Sequence, residues 1–457
     1  MSARRYQLDS HAVDVAKLAQ TLQFEFSKRT APNRLVKTAM SETLASWHPT
    51  TLDARGLPTK ELIELYKRWG ESTWGIITTG EVMIDYEHIT DAARPTITIS
   101  APFRGERFEG FQALAAAMKR NGSIAIAQVC HPGRSVREVW VKETISASPT
   151  TQDPFLGFLR FAPARAATVS DIENITQTFA HVAAYLEAAG FDGIQLQCAQ
   201  GFLLSQFLSP ATNKRSDAYG GSTTNRMRLV KEICTAIRAC TQPDFVLSIK
   251  MNSVEFQKDG LTTEDAAELV KGWQDAAVDY VELSGGTFEQ LAQKAGVRKR
   301  ESTKKREAFF LEFAERIVPA LGPEHKRKTK VVVTGGLRTA EGMLAALEVV
   351  DAVGIARPAV QEPALAGDLL DGRVTSAIWP VTPFDSDFIL SVRAAYSQIR
   401  AIGQGYEPFD LSDEEVAGKL IQDLHLWWEW FLSTKGDVPA GYGHADYTGR
   451  LVPHSAC

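Results

Sequence analysis

Short apolar runs and longer amphipathic stretches alternate along most of the chain, and this alternation predicts its secondary structure. Eight apolar runs have the length of buried strands. They cover residues 34–40, 75–79, 123–130, 193–196, 245–251, 280–283, 331–333 and 352–355. Helical patterns lie between them, at residues 59–70, 108–121, 171–189, 225–240, 262–277, 309–321 and 340–349. We expect Asp171 and Thr262 to stand at helix starts, and Gly190 to follow a helix end.

This order of elements predicts an α/β fold. Near-continuous apolar strands separated by helices indicate a parallel sheet that is covered on its faces. A doubly wound sheet would carry a Gly-x-Gly-x-x-Gly turn after its first strand, and the chain has none. Eight strands fit a single (β/α)8 TIM barrel instead.

We assign residues 1–375 to the barrel, including an N-terminal segment of about 30 residues that closes its bottom. Residues 376–457 form a helical C-terminal extension with helical patterns at 385–402 and 412–432. The second pattern carries Trp427, Trp428 and Trp430. We expect this extension to pack on the barrel; a lid over the site or a homodimer contact is the alternative.

Composition narrows the functional classes. Hydrophobic residues make up 44% of the chain and charged residues 23%, which is typical of a globular protein. The net charge of −5, with acidic and basic residues mixed, argues against nucleic acid or an acidic membrane as a partner. The five cysteines form no Cys-x-x-Cys pair, so neither a metal site nor a disulfide framework is expected. The sequence has no apolar stretch of about 20 residues, and we expect a cytoplasmic protein.

Candidate chemistry lies at the carboxyl ends of the predicted strands, where barrel enzymes place their active sites. Glycine pairs follow strands six and seven, at Gly285-Gly286 and Gly335-Gly336, and Arg357 follows strand eight. Glycines allow backbone N–H groups to approach a ligand, and an arginine binds two oxygens of an anion. These loops therefore predict a phosphate site.

A second cluster is expected where strands one, three and five end. Ser41, Gln128 and Lys250 place a hydroxyl, an amide and a cation there. An amide beside a cation suits the pyrimidine edge of a flavin, where reduction places negative charge. A buried lysine paired with a carboxylate is the alternative interpretation of Lys250.

Several segments resemble the Old Yellow Enzyme family of FMN-dependent NAD(P)H oxidoreductases. Residues 32–40, Pro-Asn-Arg-Leu-Val-Lys-Thr-Ala-Met, are similar to the family's opening strand, and residues 128–134 to its Gln-x-x-His-x-Gly-Arg motif. The longest and most specific match runs from residue 190 to 226 and includes Ser-Gln-Phe-Leu-Ser-Pro at 205–210. The resemblance extends over residues 31–363, which is most of the barrel.

The resemblance implies an FMN site. Thr38, Ala39, Met40 and Ser41 would line the flavin, Gly80 would pass close to its ring, and Gln128 would bind the pyrimidine edge. Lys250 stands where the family usually has a basic residue, often arginine. The ribityl phosphate would be held by Gly286, Gly336, Ala356 and Arg357. NADH or NADPH would be the reductant.

The substrate half departs from the family's pattern. The family usually has His-x-x-His or His-x-x-Asn, which holds the substrate's oxygen, followed by Gly-Tyr, whose tyrosine supplies a proton. Those positions are Gln197, Gln200 and Phe202 here. Glutamine donates a hydrogen bond but carries no positive charge, and phenylalanine has no proton to give. Tyr86 and Tyr219 are conceivable substitutes that the sequence does not place at the site.

Four functions remain open at this stage. The first is an ene-reductase that acts on a small molecule with an activated double bond and uses a displaced proton donor. The second is a flavin-dependent isomerase or desaturase of a specialised metabolite. The third is a weakly catalytic FMN-binding protein, and the fourth is a barrel without flavin. For His131 we expect a hydrogen bond that shapes its turn, while Trp47 either flanks the substrate or packs in the core.

Overall fold

The computed structural model describes residues 3–6, 13–155, 159–255, 258–284, 311–434 and 443–455. Within these residues, eight parallel strands close into a barrel in which each strand pairs with the next and β8 pairs with β1. The strands are β1 Leu35–Lys37, β2 Ile76–Met83, β3 Ile124–Cys130, β4 Gly193–Cys198, β5 Val246–Asn252, β6 Tyr280–Ser284, β7 Lys330–Thr334 and β8 Ala352–Ile355.

The (β/α)8 barrel that the apolar runs predict is thus confirmed, with each of the eight strands close to its expected place. Two strands differ in length for local reasons. β1 ends at Lys37, so residues 38–41 belong to the connection after the strand. β2 continues to Met83 through an irregularity between Thr78 and Glu81, which re-aims the side chains at its carboxyl end.

Helices cover the outside of the barrel and provide the extension. The longer ones are α1 Lys60–Gly70, α2 Glu106–Met118, α3 Val169–Ala188, α4 Arg228–Cys240, α5 Thr263–Asp275, α6 Ala340–Ala346, α7 Phe388–Gly403 and α8 Glu414–Ser433. The shorter ones are Ala16–Ala19, Leu203–Leu208, Thr223–Arg226, Arg357–Gln361 and Leu365–Leu370. No helix in the described ranges has both the length and the apolar character that crossing a membrane requires.

Local signals account for several helix ends. Thr262 caps α5 in a reciprocal capping box with Asp265, as the sequence predicts. Helix α3 begins two residues before its predicted start at Asp171, because Thr168 is the N-cap and Asp171 is its partner at the third helical position. Gly190 follows the end of α3 with φ of 95°, a conformation that favours glycine.

Apolar side chains fill the amino-terminal end of the barrel together with a short N-terminal hairpin, Leu22–Gln23 paired with Thr30–Ala31. Phe24 of the hairpin stacks on Tyr280 of β6, with ring centroids 5.5 Å apart. This end of the barrel is therefore a packed core. In barrels of this kind the active site lies at the opposite, carboxyl-terminal end.

The C-terminal extension reaches the carboxyl-terminal end of the barrel. Helix α7 lies against α1 and against the short helix Arg357–Gln361. Trp427 and Phe431 of α8 stack at 5.5 Å in a separate hydrophobic cluster of the extension. The described tail at 443–455 returns to the loop after β1, where His444 Nε2 lies 2.8 Å from the Glu42 carbonyl oxygen.

Candidate active site

A buried row of polar side chains crosses the barrel at the carboxyl ends of β3 to β6. Gln128 Nε2 donates to Gln195 Oε1 at 2.7 Å, and Gln195 Nε2 donates to Glu282 Oε2 at 2.9 Å. Glu282 Oε1 lies 2.9 Å from Lys250 Nζ and also accepts a bond from the Thr38 hydroxyl. The structure thus brings three residues expected at the site, Thr38, Gln128 and Lys250, into one network.

Strand register creates this row. Gln195 lies opposite Gln128, and Glu282 lies opposite Lys250. Burial alone would raise the pKa of Glu282, yet Lys250, Thr38 and Gln195 together hold that pKa below its ordinary value. Glu282 is therefore an ionised carboxylate inside the barrel, and it is the partner that the alternative interpretation of Lys250 requires.

Sequence reasoning missed Gln195 and Glu282. Both lie inside apolar strands, and the only signal available was a polar residue at every second position of β4 and β6. It also missed Lys37, whose Nζ lies 3.9 Å from the centroid of the Trp69 ring. Burial lowers the pKa of Lys37 to about 7; the negative charge of Glu42 opposes this fall, and the positive charge of Lys250 adds to it.

The connection after β1 lies against the end of β2. The Ser41 hydroxyl donates to Glu81 Oε2 at 3.0 Å, and Gly80 N donates to Glu42 Oε1 at 2.7 Å. The Tyr66 hydroxyl also binds Glu42. Burial raises the pKa of Glu42 above its ordinary value. Gly80 is thus held against the loop that carries Ala39, Met40 and Ser41.

We expect Gly80→Ala to destabilise the protein by more than about 2 kcal/mol. A Cβ at Gly80 would stand 2.3 Å from Glu42 Oε2 and 2.4 Å from the Met40 carbonyl oxygen, so the loop after β1 must shift. Urea denaturation measures the change. The matched control is Gly418→Ala in α8, where a Cβ meets nothing within 4 Å and helix propensity favours alanine. A Gly80→Ala protein as stable as the control would contradict this account.

The loops after β7 and β8 present features that suit an anionic group. Gly335 and Gly336 have φ of 132° and 81°, which favours glycine and turns backbone N–H groups toward a ligand. The Thr334 hydroxyl is buried and has no hydrogen-bond partner within the described residues. Ala356 precedes the short helix Arg357–Gln361. Gly286, which the sequence places at the same site, lies outside the described residues.

Arg357 is held by the C-terminal extension. Its Nη1 donates to the Ser391 hydroxyl of α7 at 2.6 Å, and its guanidinium lies 5.2 Å from the centroid of the Phe388 ring. These contacts orient the guanidinium at the end of β8. The extension thereby contributes to the geometry of the predicted phosphate site.

The two glutamines that end β4 are bonded to each other. Gln197 Nε2 donates to Gln200 Oε1 at 3.2 Å, and Gln197 lies opposite Lys250 in the strand register. Gln200 adopts a left-handed conformation with φ of 59°, and its backbone N–H donates to Asn252 Oδ1 at 3.2 Å. This unusual backbone conformation turns the amide of Gln200 toward the same end of the barrel.

Phe202 belongs to an apolar cluster beside the glutamines. Its buried members are Met83, Ile89, Cys130 and Phe202, and Trp47 and Trp140 pack against them. The two indoles meet edge to face, with ring centroids 4.9 Å apart. Trp47 therefore packs against the cluster that contains Phe202, where a flat, apolar ligand would find aromatic walls.

Other candidate proton donors have their own contacts. His131 Nδ1 accepts from Gly133 N at 3.0 Å, which is the turn-shaping bond expected for it, and burial lowers its pKa to about 3. The Tyr219 hydroxyl donates to Glu232 at 3.0 Å. The Tyr86 ring lies 5.1 Å from the Arg107 guanidinium. The polar atoms of His131 and Tyr219 are thus engaged by Gly133 and Glu232.

The chain is similar to known flavin oxidoreductases in sequence and to a solved structure in fold. The model of the NADH:flavin oxidoreductase / NADH oxidase family matches residues 23–376. An NADH-dependent flavin oxidoreductase of Aspergillus parasiticus is 44% identical over 416 residues, covering 91% of this chain and 92% of that protein. One of Talaromyces variabilis is 36% identical over 363 residues, covering 74% of this chain and 82% of the relative. Among solved structures, the Old Yellow Enzyme homologue of Zymomonas mobilis aligns with a TM-score of 0.62 at 21% identity, covering 79% and 94% of the two chains.

Proposed function

Because the chain belongs to the NADH:flavin oxidoreductase / NADH oxidase family, as its motifs led us to expect, we propose that it is an FMN-dependent oxidoreductase that reduces an electron-poor alkene. NADH is the favoured reductant, since the similar proteins of Aspergillus parasiticus and Talaromyces variabilis are both named NADH-dependent. The row of buried polar side chains from Gln128 to Lys250 carries the proposal. An amide and a cation held side by side suit the polar edge of a planar cofactor.

The residues present fit FMN. Gln128 and Lys250, 2% and 4% exposed, supply an amide and a cation for the pyrimidine edge. The partnerless Thr334 hydroxyl, the turn at Gly336 and the Arg357 guanidinium supply the phosphate end. Thr38, Ala39, Met40, Ser41 and Gly80 would flank the ring, and Gly286 and Ala356 would complete the phosphate loops. When bound, FMN supplies the capacity to take hydride from a nicotinamide and pass it to a second substrate.

Gln197 and Gln200 orient the substrate in this proposal. The bond from Gln197 to Gln200 fixes the two amides, and the Gln200 amide nitrogen then donates to the substrate's carbonyl oxygen. An amide donor is neutral, so it stabilises a developing enolate less than a protonated imidazole does. Lys250, opposite Gln197 in the register, is a cation that would offset that loss.

A second candidate is a flavin-dependent isomerase or desaturase, and Phe202 favours it. The side chain is 6% exposed and lies among apolar and aromatic neighbours, so it delivers no proton to the substrate. A site without a proton donor allows the substrate to regain its hydride with the double bond moved. Isomerisation consumes no NADH, whereas net reduction consumes one NADH per double bond.

The first test is an anaerobic visible spectrum of the purified protein before and after adding NADH, and separately NADPH. We expect a flavin band that NADH bleaches, because hydride transfer to FMN removes its visible absorption. A protein that cannot be loaded with FMN would overturn the proposal. A flavin that neither nucleotide bleaches would favour the isomerase, or a weakly catalytic FMN-binding protein, over the reductase.

A further inference from the structure

One cation at the carboxyl-terminal end of the barrel has an incomplete set of partners. The side chain of Arg94 is only 6% exposed. Its Nε lies 3.4 Å from Glu81 Oε2 and donates to the Thr90 hydroxyl at 3.2 Å. Its Nη1 is buried and has no hydrogen-bond partner in the described part of the chain. A buried guanidinium nitrogen without an acceptor is costly, which points to a ligand that supplies one.

The contacts of Arg94 place it at the expected flavin and substrate site. Its partner Glu81 accepts a hydrogen bond from Ser41, and the family resemblance places Ser41 beside the flavin. Glu81 also lies opposite Gln128 in the strand register. Burial raises the pKa of the Cys130 thiol well above its ordinary value, and the nearby Arg94 partly opposes that rise. Cys130 packs with Phe202. Arg94 therefore stands beside the cluster around Phe202.

A second buried donor near this cluster has no partner either. The indole Nε1 of Trp140 is buried without an acceptor among the described residues, and Trp140 packs against the cluster. The Arg137 guanidinium lies 5.8 Å from the centroid of the Trp140 ring. Both partnerless donors thus belong to residues at one aromatic cluster, on different segments of the chain.

Arg94 lies among charged groups of both signs. Desolvation raises the pKa of the partly buried Asp91 against the combined positive charges of Arg94, Arg137 and Arg393. Glu81 Oε2 lies 3.4 Å from Arg94 Nε, whereas Arg94 Nη1 has no partner among the described residues, so Nη1 remains for a ligand. The carboxylates that act on Arg94 are those of Glu81, Asp91 and Glu42, and Arg393 belongs to helix α7 of the extension.

We propose that Arg94 binds an anionic oxygen group of the substrate, such as a carboxylate, while Gln197 and Gln200 bind the carbonyl group at the substrate's other end. The apolar walls formed by Phe202, Trp47 and Trp140 would hold a flat aromatic or conjugated body between the two polar ends. This inference rests on the proposed function and names the class of substrate that the site selects. Arg94 is thereby a specificity-determining residue.

The test compares two ligands that differ in charge and by one methyl group, 4-carboxycinnamaldehyde and its methyl ester. Each is titrated into the oxidised holoenzyme, and the perturbation of the flavin spectrum gives a dissociation constant without any need for turnover. We expect the acid to bind wild type at least about 10-fold more tightly than the ester, since a charge-assisted bond in a buried site contributes that much. Arg94→Met should weaken the acid by about 10-fold to 100-fold and the ester by less than about 2-fold.

Two further variants test the role of the planar guanidinium group and provide a control. Arg94→Lys keeps the charge but loses the planar fork, so its preference for the acid should fall between wild type and Arg94→Met. Arg104→Met removes an exposed arginine of the loop before α2 and should change neither constant. The wild-type comparison decides the question even if Arg94→Met fails to fold or to keep its flavin.

Equal binding of acid and ester to wild type would overturn the inference. So would an Arg94→Met protein that keeps the acid preference but binds NADH more weakly, because Arg94 would then serve the phosphates of the dinucleotide. Failure of NADH to bleach the wild-type flavin contradicts the proposed function itself. Bleaching combined with equal binding of the two ligands contradicts this inference alone.

Discussion

Lys250→Met is expected to lower the free energy of unfolding by about 3–5 kcal/mol at neutral pH, because it leaves Glu282 as an uncompensated charge inside the barrel. Glu282 is fully buried, and Lys250 Nζ lies 2.9 Å from its carboxylate. Urea unfolding, with equal FMN added to each protein, measures the loss. Adding Glu282→Gln should recover most of it, because the double variant buries no charge at this position.

The loss of stability caused by Lys250→Met depends on pH, in a direction set by the pKa of Glu282. The pKa of Glu282 is lowered in the folded protein, so its ion pair adds stability above the unfolded pKa and loses it as the pH falls through the folded pKa. The deficit of Lys250→Met should therefore shrink in mildly acidic buffer, where Glu282 takes up a proton in the variant. A deficit that stays constant from neutral to acidic pH would contradict an ionised Glu282.

The same pair of variants separates stability from cofactor chemistry. The double variant Lys250→Met with Glu282→Gln should unfold like wild type and still be reduced by NADH about 100-fold more slowly, because no cation then faces the pyrimidine edge. Rapid-mixing absorbance measures that rate with NADH in excess. If the double variant regains both stability and rate, Lys250 is only the structural partner of Glu282.

Phe202→Tyr is expected to raise kcat for a simple enone such as cyclohexenone by about 100-fold, since a positioned general acid contributes at least that much. The new hydroxyl would enter the pocket where Phe202 packs with Cys130 and Trp140. Steady-state NADH oxidation measures the gain, with flavin content checked for each protein. Phe202→Met, which removes the ring and adds no hydroxyl, is the control and should show no gain.

The products of the Phe202→Tyr protein also distinguish the two candidate functions. If wild type moves the double bond of its substrate and the variant saturates it, the missing hydroxyl is what keeps the native reaction from net reduction. No gain with FMN bound and reducible would show that proton delivery does not limit the reaction. The proton would then come from water or from another side chain.

Much of the fold follows from local features of the sequence. The strand at 352–355 was predicted with the bounds that the structure has, because an isolated apolar run between two polar turns has one interpretation. The start of α5 was predicted from Thr262, because its capping partner Asp265 is only three residues away in the sequence. The cap of α3 was misassigned, because both Thr168 and Asp171 are residues that begin helices and only the backbone conformation distinguishes them.

The candidate site was predictable only in part. Gln128, Lys250 and Arg357 were identified because motifs and strand ends mark them. Glu282, which holds Lys250, and Glu81, which joins Ser41 to Arg94, were not identified. Lys250 is 32 residues from Glu282, while Ser41 and Arg94 are 40 and 13 residues from Glu81, and nothing local to either glutamate shows which residue it meets.

What the sequence by itself determined is the set of strands and helices, the closed barrel and the family, because apolar periodicity, turn residues and long motifs are properties of short segments. The tertiary structure decided which polar groups meet. Closure of the barrel sets the register that pairs Lys250 with Glu282, and the extension brings Ser391 to Arg357. A charged side chain buried in a medium of low polarity is stable only beside its partner, so the chemistry of the site depends on contacts between distant segments.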